Sequence, residues 1–306
     1  MLIRVRIAAA LLWFASSAAA QPAPPLVKEG TTVKVAPHVW AIPDGNVGLV
    51  PNVGIIVGTR ATMVVDTGLG PRNGATVLKE VAKVSSNAEL YVATTHYHPE
   101  HSLGGAAFPA SAKFVRPAIQ QQEMQEVGKT IQNTFANMSP LHKELLDGVE
   151  YPRADILFDE EQQIDLGGVH VRLFTRGPLH TKGDTVIWVQ EDRVMFSGDI
   201  VMNNAFLAAN ATSSIRTWLA TLDEMDALKP AVVVPSHGGI GDAALITQDR
   251  EYLKLVQMHT SDLKAQGKSV DEAVAAVPTK VQGRFPGWTA PARVAIAVRA
   301  AYAESP

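Results

Sequence analysis

A chain of 306 residues, with a formal net charge of −3 and 46% hydrophobic residues, has the makeup of an ordinary globular protein. It offers no broad basic field and no Lys/Arg run, which argues against a nucleic-acid partner. It contains no cysteine, so disulfide staples, thiolate ligands and thiol nucleophiles are excluded, and any metal chemistry must use nitrogen and oxygen donors.

The first twenty residues read as an export signal. Arg4 and Arg6 supply the positive start, residues 7–15 the apolar run and residues 16–20 the small side chains, followed by the Pro-rich 21–25. Cleavage is expected just after Ala20. That places the mature protein in the periplasm or outside the cell, with no membrane attachment after cleavage. No later segment carries the roughly 18 unbroken apolar residues of a spanning helix. Residues 21–306 are then expected to form a single domain.

Residues 31–42 predict a strand and 47–57 a second, and 61–68 form an apolar run closing on a turn, which suits a buried strand. Helical spacing over 73–84 precedes another strand at 88–94. From 117 to 148 the sequence turns polar, with apolar residues at helical intervals and a break near Ser139-Pro140, and predicts one or two inserted helices. Residues 163–174 predict a hairpin turning at Gly167-Gly168, and 185–189 with 193–197 a second around Glu191-Asp192. Residues 217–228 form an amphipathic helix stopped before Pro230, 231–235 a buried strand, and helices dominate beyond Asp242. Such alternation points to an α/β fold, with two sheets sandwiched between outer helices.

Five of the nine histidines stand at the ends of strand-like runs. His96, His98, Glu100 and His101 crowd into six residues after the strand 90–95. His96 and His98, two apart, project from one face of extended chain, whereas Glu100 and His101 turn onto a second locus. Imidazole and carboxylate donors suit zinc. Downstream, His180, Asp199 and His237 each meet a buried strand beside a glycine that permits a tight turn. With the cluster they make seven donors, about the number that two zinc ions require.

The series His-x-His-x-Glu-His, then a His, an Asp and a His on later loops, resembles the signature of the metallo-β-lactamase superfamily. Asp66-Thr67-Gly68 is similar to that superfamily's early turn. The resemblance spans roughly 32–239, leaving out the export signal and the C-terminal helices. It implies a four-layer αββα sandwich with metals at one edge, a helical insert and C-terminal helices added. One zinc would be held by His96, His98 and His180, the other by Glu100, His101 and His237, with Asp199 bridging and Asp66 supporting the metal loops from behind. A metal-bridging hydroxide would then open a cyclic amide or ester in a small-molecule substrate.

Two departures bear on that reading. The superfamily usually has Asp where this chain has Glu100, a side chain one methylene longer, which alters the second metal position. Its β-lactamases generally carry Cys or Ser where this chain has Asp199, which is more typical of lactonases, thioesterases and phosphodiesterases. The motif also admits a mononuclear iron oxidoreductase acting on sulfur compounds, or a non-catalytic metal-binding protein. Glu100, for handling a proton, and Asn204, as a donor to a developing oxyanion, are the catalytic candidates. His38 and His170 read as structural, His142 and His259 as surface residues, and Trp40 and Trp218 as core. Met124, Ile131 and Phe135 read as a helix-packing stripe ahead of a lid lining. No Gly-x-Ser-x-Gly elbow is present.

Overall fold

The computed structural model describes residues 23–305, and the export signal expected at 1–20 lies outside the described residues. Four strands, β1 (Val33–Ala36), β2 (Val39–Ile42), β3 (Val53–Val57) and β4 (Ala61–Val65), run as an antiparallel meander. Strands β5 (Glu89–Ala93), β6 (Lys113–Pro117) and β7 (Ile156–Phe158) then add in parallel, so the seven-stranded sheet follows chain order. Parallel neighbours need crossovers. Helix α1 (Gly70–Val84) provides the first and the short α2 (Pro99–Ser102) lies in the second. The third is the insert, made of α3 (Ala118–Glu126), α4 (Gly128–Ala136) and α5 (Pro140–Leu146).

The second sheet comprises β8 (Glu161–Asp165), β9 (His170–Thr175), β10 (Thr185–Val189), β11 (Val194–Gly198) and β12 (Val232–Pro235), ordered β12-β11-β10-β9-β8. Only β11 and β12 are parallel, joined through α6 (Ile215–Ala227). Helices α7 (Ala244–Ala265), α8 (Val270–Arg284) and α9 (Arg293–Glu304) complete the chain.

The two-residue period of the strands distributes apolar side chains to two faces. Ile56, Met63 and Val65 of one sheet meet Val171, Ile187 and Phe196 of the other, forming the core between the sheets. Their neighbours Ile55 and Val64 point outward onto Val77 and Val81 of α1. On the opposite side, Val186, Met195 and Val233 pack under Trp218, Tyr252, Val277 and Val298 of α6 to α9. Each such side chain contributes about 1.5–3 kcal/mol by leaving water. These are the four layers of an αββα sandwich. Continuous apolar runs such as 61–65 arise because both faces of the strand are covered.

Several elements depart from the sequence reading. Residues 31–42 form a hairpin, β1 and β2, because the chain reverses at Pro37-His38. The strand expected from 47 starts only at Val53, since Asn46 and Leu49 take left-handed backbone (φ 57° and 59°) that no strand accommodates. Strands β6 and β7 have no counterpart among the expected elements. The insert holds three helices, α3 and α4 separated at Val127 and α5 started by Ser139, whose hydroxyl accepts from the backbone N–H of His142 with Pro140 in the first turn.

Candidate metal centre

Strand β5 ends at Ala93, and the chain then places His96 and His98 at the sheet edge. His96 Nε2 and His98 Nδ1 lie 3.1 Å apart, and His98 Nδ1 lies 3.2 Å from Nε2 of His180, which comes from the loop before β10 of the other sheet. Two nitrogens bound tetrahedrally to one zinc stand about 3.3 Å apart, given bonds of about 2.0–2.1 Å. The spacing is thus that of a tetrahedron's edges. Burial, together with the neighbouring histidines, pushes His96 and His98 well below the usual imidazole range. Both are therefore neutral near pH 7, the form that donates a lone pair.

A second locus lies beside the first. Glu100 Oε1 is 3.7 Å from His101 Nε2, and His237 completes a triad whose donor atoms fall within 4.8 Å of one another. Asp199 reaches between the loci, Oδ2 being 3.6 Å from His180 Nε2 and Oδ1 3.9 Å from His237 Nε2. Glu100 Oε2, His101 Nε2 and Asp199 Oδ1 are buried without a hydrogen-bond partner. An orphaned buried polar atom costs about 1–3 kcal/mol, and more if charged. Three of them together, two within the Glu100–His101–His237 triad and one on Asp199, fit a second divalent cation.

Protonation differs among the donors of the second locus. Burial pushes the Glu100 carboxyl up to about 7. Burial opposes charge on His101 too, yet Asp66 outweighs it and raises the imidazole to about 9. Asp199, despite burial, is held down to about 2 by His237, His180 and His101.

Behind the donors stands a shell that orients them. The Asp66 carboxylate accepts from Thr95 N (2.8 Å) and Thr95 Oγ1 (3.0 Å), and Oδ2 pairs with His101 Nδ1 at 2.9 Å. Its backbone is left-handed, with φ of 63°, a strained state for a non-glycine residue that the surrounding bonds enforce. His180 Nδ1 donates to the Ala208 carbonyl (2.6 Å) and His237 Nδ1 to that of Val50 (3.1 Å). Since a carbonyl only accepts, each contact leaves the Nε2 lone pair facing the site. A Cβ on Gly104 would strike the Thr67 carbonyl, so glycine there lets the loop bearing His101 dock on the Asp66 turn.

Residues that the sequence reading did not single out hold the loops. Asn52 donates to the carbonyls of Pro235 and Gly238 (both 2.8 Å), and Asp44 accepts from Gly238 N (2.7 Å), clamping the turn that carries His237. From α3, Glu123 accepts from Lys182 N and Gly183 N (both 2.9 Å), while Gln120 donates to the carbonyls of Thr94 and Gly183 (both 3.1 Å). The insert thus braces the histidine loops. No spacing signal marks these residues, whose partners lie between 26 and 194 positions away in sequence.

The donors open onto a cavity of about 590 Å³. Asn204 lines it with φ of 56°, its carbonyl fixed by Thr289 N at 2.8 Å. Phe135 also lines it, 6.3 Å from the His98 ring, so this part of the expected packing stripe faces the site, whereas Met124 is buried. Thr289, Ala290 and Arg293 form a wall from the C-terminal segment. His38 and His170 pair with Asp192 (3.0 Å) and Glu191 (2.6 Å) at the β10–β11 turn, and Trp218 is core, as expected. His142 is partly buried on α5, bonded to Ser139, and is not a free surface residue.

The family model of the metallo-beta-lactamase superfamily matches residues 47–237, and the chain belongs to that superfamily. An atrochrysone carboxyl ACP thioesterase of Aspergillus fumigatus is 26% identical over 186 residues, covering 60% of this chain and 37% of that protein. The chain spans between 37% and 65% of the length of three curated relatives it matches, this thioesterase included. Among solved structures, a metallo-beta-lactamase from Pontibacter korlensis superposes with a TM-score of 0.59 at 20% identity, covering 73% of this chain and 98% of its own. The sec-alkylsulfatase Pisa1 from Pseudomonas sp. reaches 0.69 at 14% identity, covering 89% of this chain and 49% of its own. At such identities the structural likeness establishes the fold. The relatives' names are those of hydrolases. No helix among the described residues is long and apolar enough to cross a membrane.

Proposed function

We propose that this chain is an exported dinuclear zinc hydrolase that cleaves acyl bonds, with thioesters and lactones or other esters ahead of β-lactams. The observation that carries this reading is the convergence of His96, His98 and His180 on one point and Glu100, His101 and His237 on another, with Asp199 between. The orphaned Glu100 Oε2 and His101 Nε2 favour two ions over a single iron, which would use only the three-histidine locus. Asp199, where β-lactamases of the superfamily generally have Cys or Ser, favours an ester or thioester, as does the name of the thioesterase relative. Export rests on residues 1–20 of the sequence.

Zinc at both loci supplies Lewis acidity, activating water near neutral pH and polarising a carbonyl oxygen. The chain's own residues bind and orient. Glu100 offers the unpartnered Oε2 to the second locus and leaves Oε1, 3.7 Å from His101 Nε2, to accept a proton. Asn204, on the cavity lining, is the residue assigned to donate to a developing oxyanion. Phe135, beside His98 on the cavity lining, supplies an apolar surface for the acyl part of a substrate.

The test is purification without chelator, metal quantification, and a screen of thioesters, lactones, β-lactams and phosphodiesters. The expected result is two zinc per chain and turnover of acyl esters. One iron per chain, or bound metal without any hydrolysis, would sink the reading.

A further inference from the structure

The cavity wall built by the C-terminal segment carries a charge that the proposed chemistry leaves unused. Arg293, at the start of α9, is the one lysine or arginine among the described residues lining the cavity. Its Nη1 donates to the Phe206 carbonyl at 3.1 Å and to Met202 Sδ at 3.2 Å, which ties the guanidinium to the loop that follows Asp199. No carboxylate of the described residues lies within 4.0 Å of it, although seven other arginines have such a partner. Asp44, a carboxylate on the same cavity lining, is already occupied, accepting from Gly238 N and Asn46 N. A partly buried guanidinium held by neutral acceptors retains N–H donors arranged as a fork, the geometry that binds an oxyanion in bidentate fashion.

We propose that the substrate carries an anionic oxygen group, a carboxylate in the simplest case, remote from the bond that is cleaved, and that Arg293 is the specificity-determining residue that holds it. The inference rests on the hydrolytic reading of the metal centre. A cavity of about 590 Å³ is sized for one small molecule, so a single substrate spans the donor cluster and Arg293. Charge at both ends orients it: the anionic group docks on the arginine and the acyl carbon is left at the metal loci. Thr289 and Ala290, on the same wall, shape the approach to Arg293.

The test compares two chromogenic esters of similar length, 4-nitrophenyl butyrate and mono-4-nitrophenyl glutarate, on the zinc-loaded protein and its Arg293→Gln and Arg293→Lys variants. Water cleaves each ester to the acid and 4-nitrophenol. The wild type should prefer the glutarate ester in kcat/KM. Arg293→Gln should lower that preference ratio about ten- to a hundredfold, chiefly through KM, with Arg293→Lys restoring part of it. An unchanged ratio in Arg293→Gln at equal zinc content would overturn the proposal. In metal-free protein, glutarate should raise the Tm of the wild type and of Arg293→Lys more than that of Arg293→Gln; equal shifts would likewise overturn it. Should neither ester turn over and the wider screen of thioesters, lactones, β-lactams and phosphodiesters also give no hydrolysis, the hydrolytic reading fails, and the Tm comparison still decides whether Arg293 binds anions.

Discussion

The two metal loci share a floor but differ in readiness. At the three-histidine locus the donors already stand 3.1 and 3.2 Å apart, and burial keeps His96 and His98 neutral. At the neighbouring locus the donors are spread to 3.7 Å and beyond, and His101 is held as an imidazolium by Asp66 while Glu100 is pushed up to about 7. The first is built before an ion arrives. The second must shed a proton and draw its donors together, and the longer reach of glutamate adds a torsion to be fixed. If both loci take an ion as proposed, the three-histidine locus should fill first.

The largest effect that could break this comparison comes from His98→Ala, which removes the nitrogen shared by both close contacts. Zinc content should fall by at least one ion per chain and turnover should drop to background, as read by metal analysis and initial rates. An unaffected enzyme would end the metal proposal. Replacing Asp66 by Asn should cost the second locus about ten- to a hundredfold in zinc affinity, measured by competitive titration, with the first locus far less affected. Equal losses at both would mean that Asp66 supports the whole edge.

Titrating zinc between pH 7 and 9 gives the sharpest separation. A ligand raised to about 9 must release a proton to bind, so second-locus affinity should climb with pH through that window. His96 and His98, already neutral, should leave the first locus nearly flat. The same shift predicts a stability trend for metal-free protein. A histidine whose pKa is raised on folding contributes its stabilisation in full below about 6.5 and loses it as pH rises towards 9. Parallel pH slopes at the two loci would remove the distinction. The smallest change is Glu100→Asp, which restores the superfamily's usual side-chain length and should leave second-locus occupancy equal or higher. Loss of that ion together with all activity would show that the pocket has been rebuilt around glutamate.

The histidine cluster was legible because four donors share six residues and the remaining three close strand-like runs, a pattern local enough to survive without coordinates. The layered fold was legible for the same reason: strands such as 61–65 and 231–235 are apolar on both faces. What stayed hidden was non-local. Asp44 and Asn52 meet the His237 turn across 194 and 183 positions, so no window contains both partners. Strand β7 is three residues long and takes its pairing from β6, leaving too little period to detect. Pro37-His38 reverses the chain without a glycine or asparagine to announce it. The placement of Arg293 depends on how α9 packs against α6, α7 and α8, which the helix pattern alone does not specify.

The donors also have an architectural meaning. His96, His98, Glu100 and His101 extend from the seven-stranded sheet, whereas His180, Asp199 and His237 extend from the five-stranded one, and each locus draws on both. An ion at either place would therefore be a rivet between two sheets that otherwise meet through apolar packing and a few hydrogen bonds, such as those of Asn52 and Asp44 to the His237 turn. Ions loaded at these places would stiffen that edge of the sandwich against shear, so metal occupancy should be readable as slowed amide exchange at the ends of β5, β11 and β12.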